Sequence, residues 1–240
     1  MKVWAFVPAR GGSKSIPKKN LVGLGGRPMI DYGINAVVRS ALCERVVCST
    51  DDDEIAGHLA GYGIEVDRRP TSLAQDDTPV AEVAVEFLRR SSLPLPDLLL
   101  LVQPTSPFLT AGQIESLVDA MARNLQAQSG QTVAKPPHNY HAWNQRIVEN
   151  GCVRFMFAKE RSSAYNKQKK PEVFIFGNLI AVRPEALYAG QGFFAEPSAA
   201  VEIPWPYYLD VDGVLDLELA RLLLKEGSVQ LDPFALSKRG

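Results

Sequence analysis

Two kinds of segment alternate over the first half of this chain. Short apolar runs, typical of buried strands, predict strands at 3–9, 44–50, 64–69 and 97–104. Segments with apolar residues at helical spacing lie between and after them and predict helices at 28–41, 51–63, 78–91 and 110–125. This alternation predicts βαβ units and a three-layer α/β fold, in which a mostly parallel sheet carries helices on both faces.

Other sequence features predict the central strand of the sheet and the ends of two helices. The run at 97–104 is the most apolar, so we expect it near the middle of the sheet. The helix at 51–63 begins with acids and ends at glycine, the charge order that a helix favours. Thr78 and Pro79 have the residue types expected at the N-cap and the first position of the helix at 78–91.

The pattern changes beyond residue 135. A proline-rich and aromatic loop is followed by apolar runs at 152–158 and 172–183, which predict a pair of strands. We interpret 136–176 as a small excursion from a main domain formed by 1–135 and 177–240, with a final helix near the C-terminal end. The excursion carries more apolar surface than it can bury alone, which favours contact with a partner chain.

Composition excludes several classes of protein. The 240 residues are 46% apolar, which suits an ordinary α/β domain. A net charge of −1 provides no overall field for nucleic acid or a membrane surface. No segment resembles a signal peptide or a membrane span. The three cysteines lack metal-ligand spacing, which indicates reduced thiols and a cytoplasmic protein.

Positive charge is concentrated locally, on the glycine-bearing loop after the first predicted strand. Residues 10–27 contain five basic side chains and no acid: Arg10, Lys14, Lys18, Lys19 and Arg27. Glycines let backbone N–H groups approach an anion, and basic side chains add charge-assisted hydrogen bonds. The loop matches neither the Walker A nor the dinucleotide-binding pattern. It therefore predicts a phosphate site of another kind, with a solvated basic turn as the alternative.

An acidic pair lies near the other end of the chain. Asp210 and Asp212 are two residues apart, which on a strand puts both carboxylates on one face. Such neighbours are unfavourable unless a cation lies between them, and few hard oxygen ligands suit Mg²⁺. The alternative is a turn with an N-cap for the last helix. With the basic loop, the pair suggests a nucleoside triphosphate and Mg²⁺.

A series of motifs extends this interpretation. In chain order they are PARGGSKSIPKKNL, GGRPMI, STDDDEIA, YGIEVDRRPTSLAQDDTP, LLLLVQPTSPFLT and DVDGVLDLELA. Their order resembles that of the acylneuraminate cytidylyltransferases, the CMP-sialic acid synthetases. The resemblance implies a Rossmann-type nucleotide-diphospho-sugar transferase fold and a homodimer. It also implies Mg²⁺-dependent transfer of CMP from CTP to the anomeric hydroxyl of a nonulosonic acid, with release of pyrophosphate.

The resemblance also implies roles for individual residues, with catalysis assigned to Arg10, Lys19, Asp210 and Asp212. CTP would be bound by Ala9, Arg10, Gly11, Ser13, Lys14, Lys19, Asn20, Arg69 and Thr78. The sugar would be bound by Gln103, Thr105, Asn178 and Lys167, and Mg²⁺ by Asp210 and Asp212. Residue chemistry alone leaves alternatives: Asn20 as a turn residue, Arg69 as cover for the sheet, and Gln103 as a partner of backbone groups. No residue in the motifs is assigned as the general base.

One segment departs from the family pattern. Ile175 lies where an arginine is expected, Gly177-Asn178 reverses the usual order, and KQKKP replaces an upstream motif. We therefore expect an acceptor other than the common acetylated sialic acid, such as a deaminated, legionaminic-type or pseudaminic-type acid. Two alternatives are a related nucleotidyltransferase that uses another acid or base, and a non-catalytic nucleotide-binding homologue.

Overall fold

The computed structural model describes residues 1–75, 77–163 and 170–237. The strands are β1 (Val3–Pro8), β2 (Gly23–Leu24), β3 (Arg27–Pro28), β4 (Cys43–Thr50), β5 (Glu65–Arg68), β6 (Leu98–Leu101), β7 (Ser129–Ala134), β8 (Arg146–Glu149), β9 (Cys152–Phe155), β10 (Ile175–Val182) and β11 (Ser198–Glu202). The helices are α1 (Ile30–Ser40), α2 (Asp53–Ala60), α3 (Val80–Arg90), α4 (Ala111–Arg123), α5 (Ala158–Ser162), α6 (Pro184–Tyr188) and α7 (Val214–Lys225).

Seven of these strands form one sheet in the order β11-β7-β10-β6-β1-β4-β5. All neighbouring pairs are parallel except those of β10, which runs antiparallel between β6 and β7. The apolar strand β6 is the fourth of the seven, as predicted, and its four leucines are buried. The sequence-based prediction of a mostly parallel α/β sheet is confirmed.

The side chains of β1 show how the three layers are joined. Successive side chains of a strand point to opposite faces. Val3, Ala5 and Val7 join the core that packs against α1, α2 and α4. Trp4 and Phe6 join a second core on the other face, against α3 and α6. A strand buried on both faces reads as a continuous apolar run, which is why the sequence pattern identified it.

A third cluster connects the two ends of the chain. Ile16 and Leu24, from the segment after β1, are buried together with Leu209 and Val211, which precede α7. The Tyr32 hydroxyl donates a 2.6 Å hydrogen bond to the Leu24 carbonyl within this cluster. The basic loop and the acidic pair are therefore anchored to the same small core.

The predicted pairing of 152–158 with 172–183 is wrong. β9 pairs instead with β8 in a separate two-stranded hairpin. Its turn, Asn150-Gly151, has φ values of 49° and 76°, the left-handed conformation that such dipeptides favour in two-residue hairpins. β10 lies in the main sheet because its apolar side chains, including Leu179 and Ile180, fill the two main cores.

Two smaller predictions are also corrected. Helix α3 begins after Pro79, which occupies the N-cap position without a side-chain cap, so Thr78 does not cap the helix. Asp210 and Asp212 lie in an irregular segment rather than on a strand. The division of the chain at 136–176 remains a prediction. Within the described residues, no helix combines the length and apolarity that crossing a bilayer requires.

Candidate active site

The predicted functional loops meet along one edge of the sheet. β1, β4, β5, β6, β7 and β11 run in the same direction, so their carboxyl ends share this edge, and antiparallel β10 begins there. Ligands of open α/β sheets bind beyond the carboxyl ends of strands. The edge has two halves: β1, β4 and β5 support the basic loop, while β6, β10, β7 and β11 support a second region.

The basic loop is held in shape by backbone contacts. Ala9 is fully buried, and its N–H donates a 2.9 Å hydrogen bond to the Ser49 carbonyl of β4. The Asn20 side chain donates to the Arg10 carbonyl at 2.9 Å and closes the loop. This contact fits the interpretation of Asn20 as a turn residue, and it also places the side chain beside Arg10.

An acidic turn at 51–54 packs against the loop. The Gly11 N–H donates to Asp51 Oδ1 at 3.1 Å, and Lys18 Nζ lies 2.6 Å from Glu54 Oε1. A Cβ at Gly11 would collide with the Asp52 carboxylate, so this close approach requires glycine. Asp52 in turn caps α2 by accepting the N–H groups of Glu54 and Ile55. The sequence marked this turn as part of a motif but did not predict its contact with the loop.

Lys19 links the loop to the acidic pair. Its Nζ lies 3.3 Å from Asp212 Oδ1. The Lys19 side chain is only 11% exposed, whereas that of Asp212 is 82% exposed. Two predicted catalytic residues that are 193 positions apart are thus in contact, at the boundary between the two halves of the edge.

The acidic pair is fixed by its surroundings. Asp210 and Asp212 are exposed while Val211 between them is fully buried, and the two carboxyl groups are close enough for their charges to interact. The Val211 N–H donates to the Thr105 carbonyl at 2.8 Å, and the Ser106 hydroxyl donates to Asp210 Oδ1 at 3.4 Å.

Crowding also affects the acidity of Asp210. Desolvation of its carboxyl by the surrounding protein raises the pKa of Asp210, and the neighbouring charge of Asp212 raises it further. A hydrogen bond from Thr105 and the charge of Lys19 oppose this increase in the pKa. A cation beside the pair would favour the charged form of both carboxyl groups.

The donor set fits a hard cation that takes part of its shell from a bound substrate. Asp210 and Asp212 provide carboxylate oxygens on one side, and Lys19 is the nearest cation. No group of three or more His, Cys, Asp or Glu side chains that could enclose a metal occurs among the described residues. Mg²⁺ commonly binds through one or two carboxylates together with water and phosphate oxygens, so the pair fits Mg²⁺.

The second half of the edge is a wide apolar groove of about 720 Å³. Trp205 and Tyr208 form one wall, with ring centroids 5.3 Å apart in an edge-to-face arrangement. Tyr140 and Ile175 line the groove as well. Trp205 is 50% exposed. Tyr208 lies two residues before Asp210, and the groove lies at the part of the edge formed by β10, β7 and β11, whereas the basic loop follows β1.

Comparison with known families decides what kind of protein this is. The sequence model of the cytidylyltransferase family matches residues 4–149, more than half of the chain. The chain belongs to the cytidylyltransferase family. The matched part contains the basic loop, the acidic turn and the Gln103 region, so it covers the half of the edge that β1, β4 and β5 support.

Curated proteins extend the match of this cytidylyltransferase beyond that part. It is 30% identical over 235 residues to the pseudaminic acid cytidylyltransferase of Campylobacter jejuni subsp. jejuni serotype O:2, covering 94% of this chain and 97% of that protein. It is 27% identical over 231 residues to the CMP-N,N'-diacetyllegionaminic acid synthase of Legionella pneumophila subsp. pneumophila, with the same shares covered.

Solved structures show the same fold. The structure of CMP:2-keto-3-deoxy-manno-octonic acid synthetase complexed with CTP matches with a TM-score of 0.73 and 17% identity, covering 95% of this chain and all of that chain. The 4-diphosphocytidyl-2C-methyl-D-erythritol synthase of Anaerococcus prevotii matches with a TM-score of 0.63 and 14% identity, covering 93% of this chain and 98% of that chain. These likenesses confirm the three-layer fold of the cytidylyltransferase.

The structure places most of the predicted nucleotide residues together. Ala9, Arg10, Gly11, Ser13, Lys14, Lys19 and Asn20 all lie in the loop after β1. Arg69 follows β5, and its guanidinium donates to the Ser49 carbonyl at 2.9 Å. Desolvation lowers the pKa of Arg69, and the nearby charge of Asp51 opposes that change. Thr78 lies half-buried before α3.

The residues predicted to bind the sugar lie in different environments. Gln103 and Thr105 are half-buried in the segment after β6. Lys167 lies outside the described residues. Asn178 is fully buried, and its amide donates to Gln113 Oε1 at 2.8 Å and to the Tyr207 carbonyl at 2.9 Å. These bonds support the segment before Asp210, and the role of Asn178 in binding the sugar stays a prediction.

The reversed order of Gly177 and Asn178 has a structural explanation. β10 is irregular between Phe176 and Ile180, and the Thr132 hydroxyl accepts the N–H of Asn178 at 2.9 Å there. A Cβ at Gly177 would lie 2.5 Å from that hydroxyl oxygen. Only glycine fits this contact, so the departure from the family order belongs to the sheet.

Sequence reasoning missed several residues of the site. The groove residues Trp205 and Tyr208 lie in an aromatic run, WPYY, which one residue separates from the DVD motif, and this run was a usable signal. Asp216 was also missed: its Oδ2 accepts the N–H groups of Asp212 and Gly213 at 3.1 and 2.8 Å. The acid that caps α7 is therefore Asp216 rather than Asp212.

Proposed function

We propose that this cytidylyltransferase transfers CMP from CTP to the anomeric hydroxyl of a nonulosonic acid. The observation that carries the proposal is the position of the Asp210–Asp212 pair along the sheet edge. Lys19 of the basic loop contacts Asp212, and the Thr105 carbonyl after β6 holds the backbone of Val211. The apolar groove lies farther along the same edge, at β10, β7 and β11. A nucleotidyl transfer needs this order: triphosphate, reacting phosphorus, acceptor. Positioning and charge neutralisation provide most of the rate in such reactions.

In the proposed reaction, the loop at 9–20 binds the triphosphate and Arg69 helps to frame the cytidine. The anomeric oxygen of the acceptor forms a bond to the α-phosphorus, and the bond from that phosphorus to the bridging oxygen of pyrophosphate breaks. The proton of the hydroxyl passes to a base, and pyrophosphate leaves with the bridging electron pair. Lys19 stabilises the charge that develops on the α-phosphate and the departing group.

Mg²⁺ is the proposed metal, and Asp210 and Asp212 would hold it. When bound, it would supply charge neutralisation at the phosphate oxygens. Thr105 and Ser106 contact Asp210 and orient its carboxyl. Asp216 and the Thr105 carbonyl fix the backbone around the pair, so the two carboxylates would need little rearrangement on binding.

The acceptor is proposed to lie in the groove and to be contacted by Gln103 and Thr105 from the segment after β6. Ile175 lines the groove where the family pattern has an arginine. This apolar lining and the similarity to enzymes named for pseudaminic and legionaminic acids favour an acid of those types over acetylneuraminate.

The test is pyrophosphate release with each of the four nucleoside triphosphates, Mg²⁺ and a panel of 2-keto-3-deoxy acids. We expect release with CTP and an acid of the pseudaminic or legionaminic type, and a product whose mass equals the acid plus CMP less water. Release with another triphosphate would favour a related nucleotidyltransferase. Acetylneuraminate preferred by a wide margin would contradict the proposed acceptor. CTP binding without turnover of any acid would favour a nucleotide-binding homologue.

We also propose that two copies of the chain associate through the β8–β9 hairpin. Val148 and Val153 face each other across this hairpin and are 70% and 64% exposed, and Met156 beside them is 49% exposed. Sedimentation at micromolar concentration should give a dimer. Val148→Glu should dissociate it, whereas Leu125→Glu, a change at a residue that is 79% exposed after α4, should leave it intact. A wild-type monomer would contradict the proposal.

A further inference from the structure

The contact between Lys19 and Asp212 joins two groups that the proposed reaction uses separately. Lys19 is expected to bind phosphate and Asp212 to bind a cation. In this structure they bind each other, with Nζ 3.3 Å from Oδ1. The ion pair therefore engages the Asp212 carboxylate, which would bind the metal, and the Lys19 ammonium group, which would bind phosphate.

The two partners differ in how freely they can move. The Lys19 side chain is 11% exposed, and the loop that carries it is anchored by buried Ile16. Asp212 is 82% exposed, although its backbone is held by Asp216. Rotation of the Asp212 side chain can thus break the contact without moving either backbone segment.

The charges around the pair explain why such a contact forms. Asp210 and Asp212 are both exposed and two residues apart, and two neighbouring carboxylates repel each other without a counter-ion. Among the described ion pairs, Lys19 is the basic residue that contacts this acidic pair, through Asp212. A triphosphate carries several negative charges and competes for the same ammonium group more strongly than one carboxylate.

We propose that Lys19 is the internal counter-ion of the Asp210–Asp212 pair, and that a nucleoside triphosphate releases Asp212 by drawing Lys19 to its phosphates. The inference rests on the proposed function, because it takes the triphosphate as the ligand of the loop. Its consequence is ordered assembly: the acidic pair binds a divalent cation weakly until the nucleotide has bound. Without nucleotide, a divalent cation would approach an acidic pair whose negative charge Lys19 already neutralises in part.

The test measures binding of Mn²⁺ to the protein without nucleotide, by the loss of the free-ion signal in electron paramagnetic resonance. Lys19→Met keeps the buried stem and removes the charge, so Mn²⁺ should bind about three- to tenfold more tightly than to the wild type. Lys18→Met is the matched control, because Lys18 pairs with Glu54 at the acidic turn. It should leave the affinity unchanged.

Three further measurements make the result specific. Adding Asp212→Asn to Lys19→Met should abolish the gain in affinity. A non-hydrolysable α,β-methylene analogue of CTP should tighten Mn²⁺ binding by a larger factor in the wild type than in Lys19→Met. Thermal melting checks that each variant folds, and Lys19→Gln replaces Lys19→Met if the latter does not.

The inference is overturned if Lys19→Met binds Mn²⁺ no more tightly than the wild type, or if Lys18→Met gains as much. The nucleotide-free measurement requires no turnover, so it can succeed or fail independently of pyrophosphate release. Failure of the proposed transfer would appear only in the pyrophosphate assay.

Discussion

The two halves of the sheet edge are built in different ways. The proposed nucleotide half consists of loops that directly follow β1, β4 and β5. Side chains hold these loops through backbone carbonyls, Asn20 within its own loop and Arg69 on the neighbouring strand β4. The proposed acceptor half brings together segments from distant parts of the chain, including Tyr140, Ile175 and Trp205. The first half depends on local motifs, whereas the second depends on which strands pair.

This difference suggests how substrate choice is divided in the molecule. The proposed nucleotide half is held by hydrogen bonds and by the close approach at Gly11, which would suit a substrate whose shape does not vary. The acceptor half is an open groove with apolar walls, where single substitutions change the lining without disturbing the sheet. Changes in acceptor preference should therefore map to the groove, and changes in nucleotide use should map to the loop.

The largest expected effect comes from removing one carboxylate of the acidic pair, which lies between the two halves. Asp210→Asn or Asp212→Asn should lower kcat by at least about a hundredfold, since each removes a carboxylate that would hold the metal next to the reacting phosphorus. The measurement is pyrophosphate release at saturating CTP and acid. Asp119→Asn, a matched change on α4 within an exposed ion pair with Arg123, should keep wild-type activity. Near-normal turnover in both site variants would place the chemistry elsewhere.

A second variant tests whether Asn178 supports the fold or contacts the acceptor. Asn178→Ala leaves the Tyr207 carbonyl and Gln113 without their buried donor, and should lower the free energy of unfolding by about 2 kcal/mol. Urea denaturation measures this loss, and exposed Asn124→Ala should cost less than about 0.5 kcal/mol. Full stability together with a raised KM for the acid would restore Asn178 as a sugar ligand.

The smallest expected effect concerns the acidic turn in the nucleotide half. Asp51 accepts the Gly11 N–H, which a phosphate would otherwise use. Asp51→Asn keeps an acceptor but removes a negative charge beside the triphosphate, so the KM for CTP should fall about two- to fivefold. Asp53→Asn is the control, since the Asp53 side chain pairs with Arg68, whereas Asp51 bonds to the loop at Gly11. A raised KM for CTP in Asp51→Asn would show that the carboxylate assists binding.

The halves also differ in how well the sequence predicts them. The βαβ order, the central position of β6 and the loop at 9–20 were predictable, because each depends on a local pattern of apolar, glycine and basic residues. β7 and β11 were missed because SGQTVA and SAAVE contain few large apolar residues; their positions depend on pairing with each other and with β10. The local sequence of a strand does not indicate which other strand it pairs with.

Two particular residues show the limit more sharply. Asn178 was predicted to bind sugar because it stands in a segment aligned with the family, yet its buried bonds to Gln113 and Tyr207 depend on the packing of α4 and the segment before α7. The contact of Lys19 with Asp212 was equally unpredictable, since the two are 193 positions apart and only the third core brings their segments together.

The most direct test of the account compares one variant from each half in the same steady-state assay. Arg10→Met should raise the KM for CTP about tenfold or more and change that for the acid little, because it removes a cation from the loop. Trp205→Ala should raise the KM for the acid by a similar factor and leave that for CTP nearly unchanged, because it removes one wall of the groove. This crossed result would establish a nucleotide half and an acceptor half. If both variants raised the KM of the same substrate, the division of the edge would be contradicted.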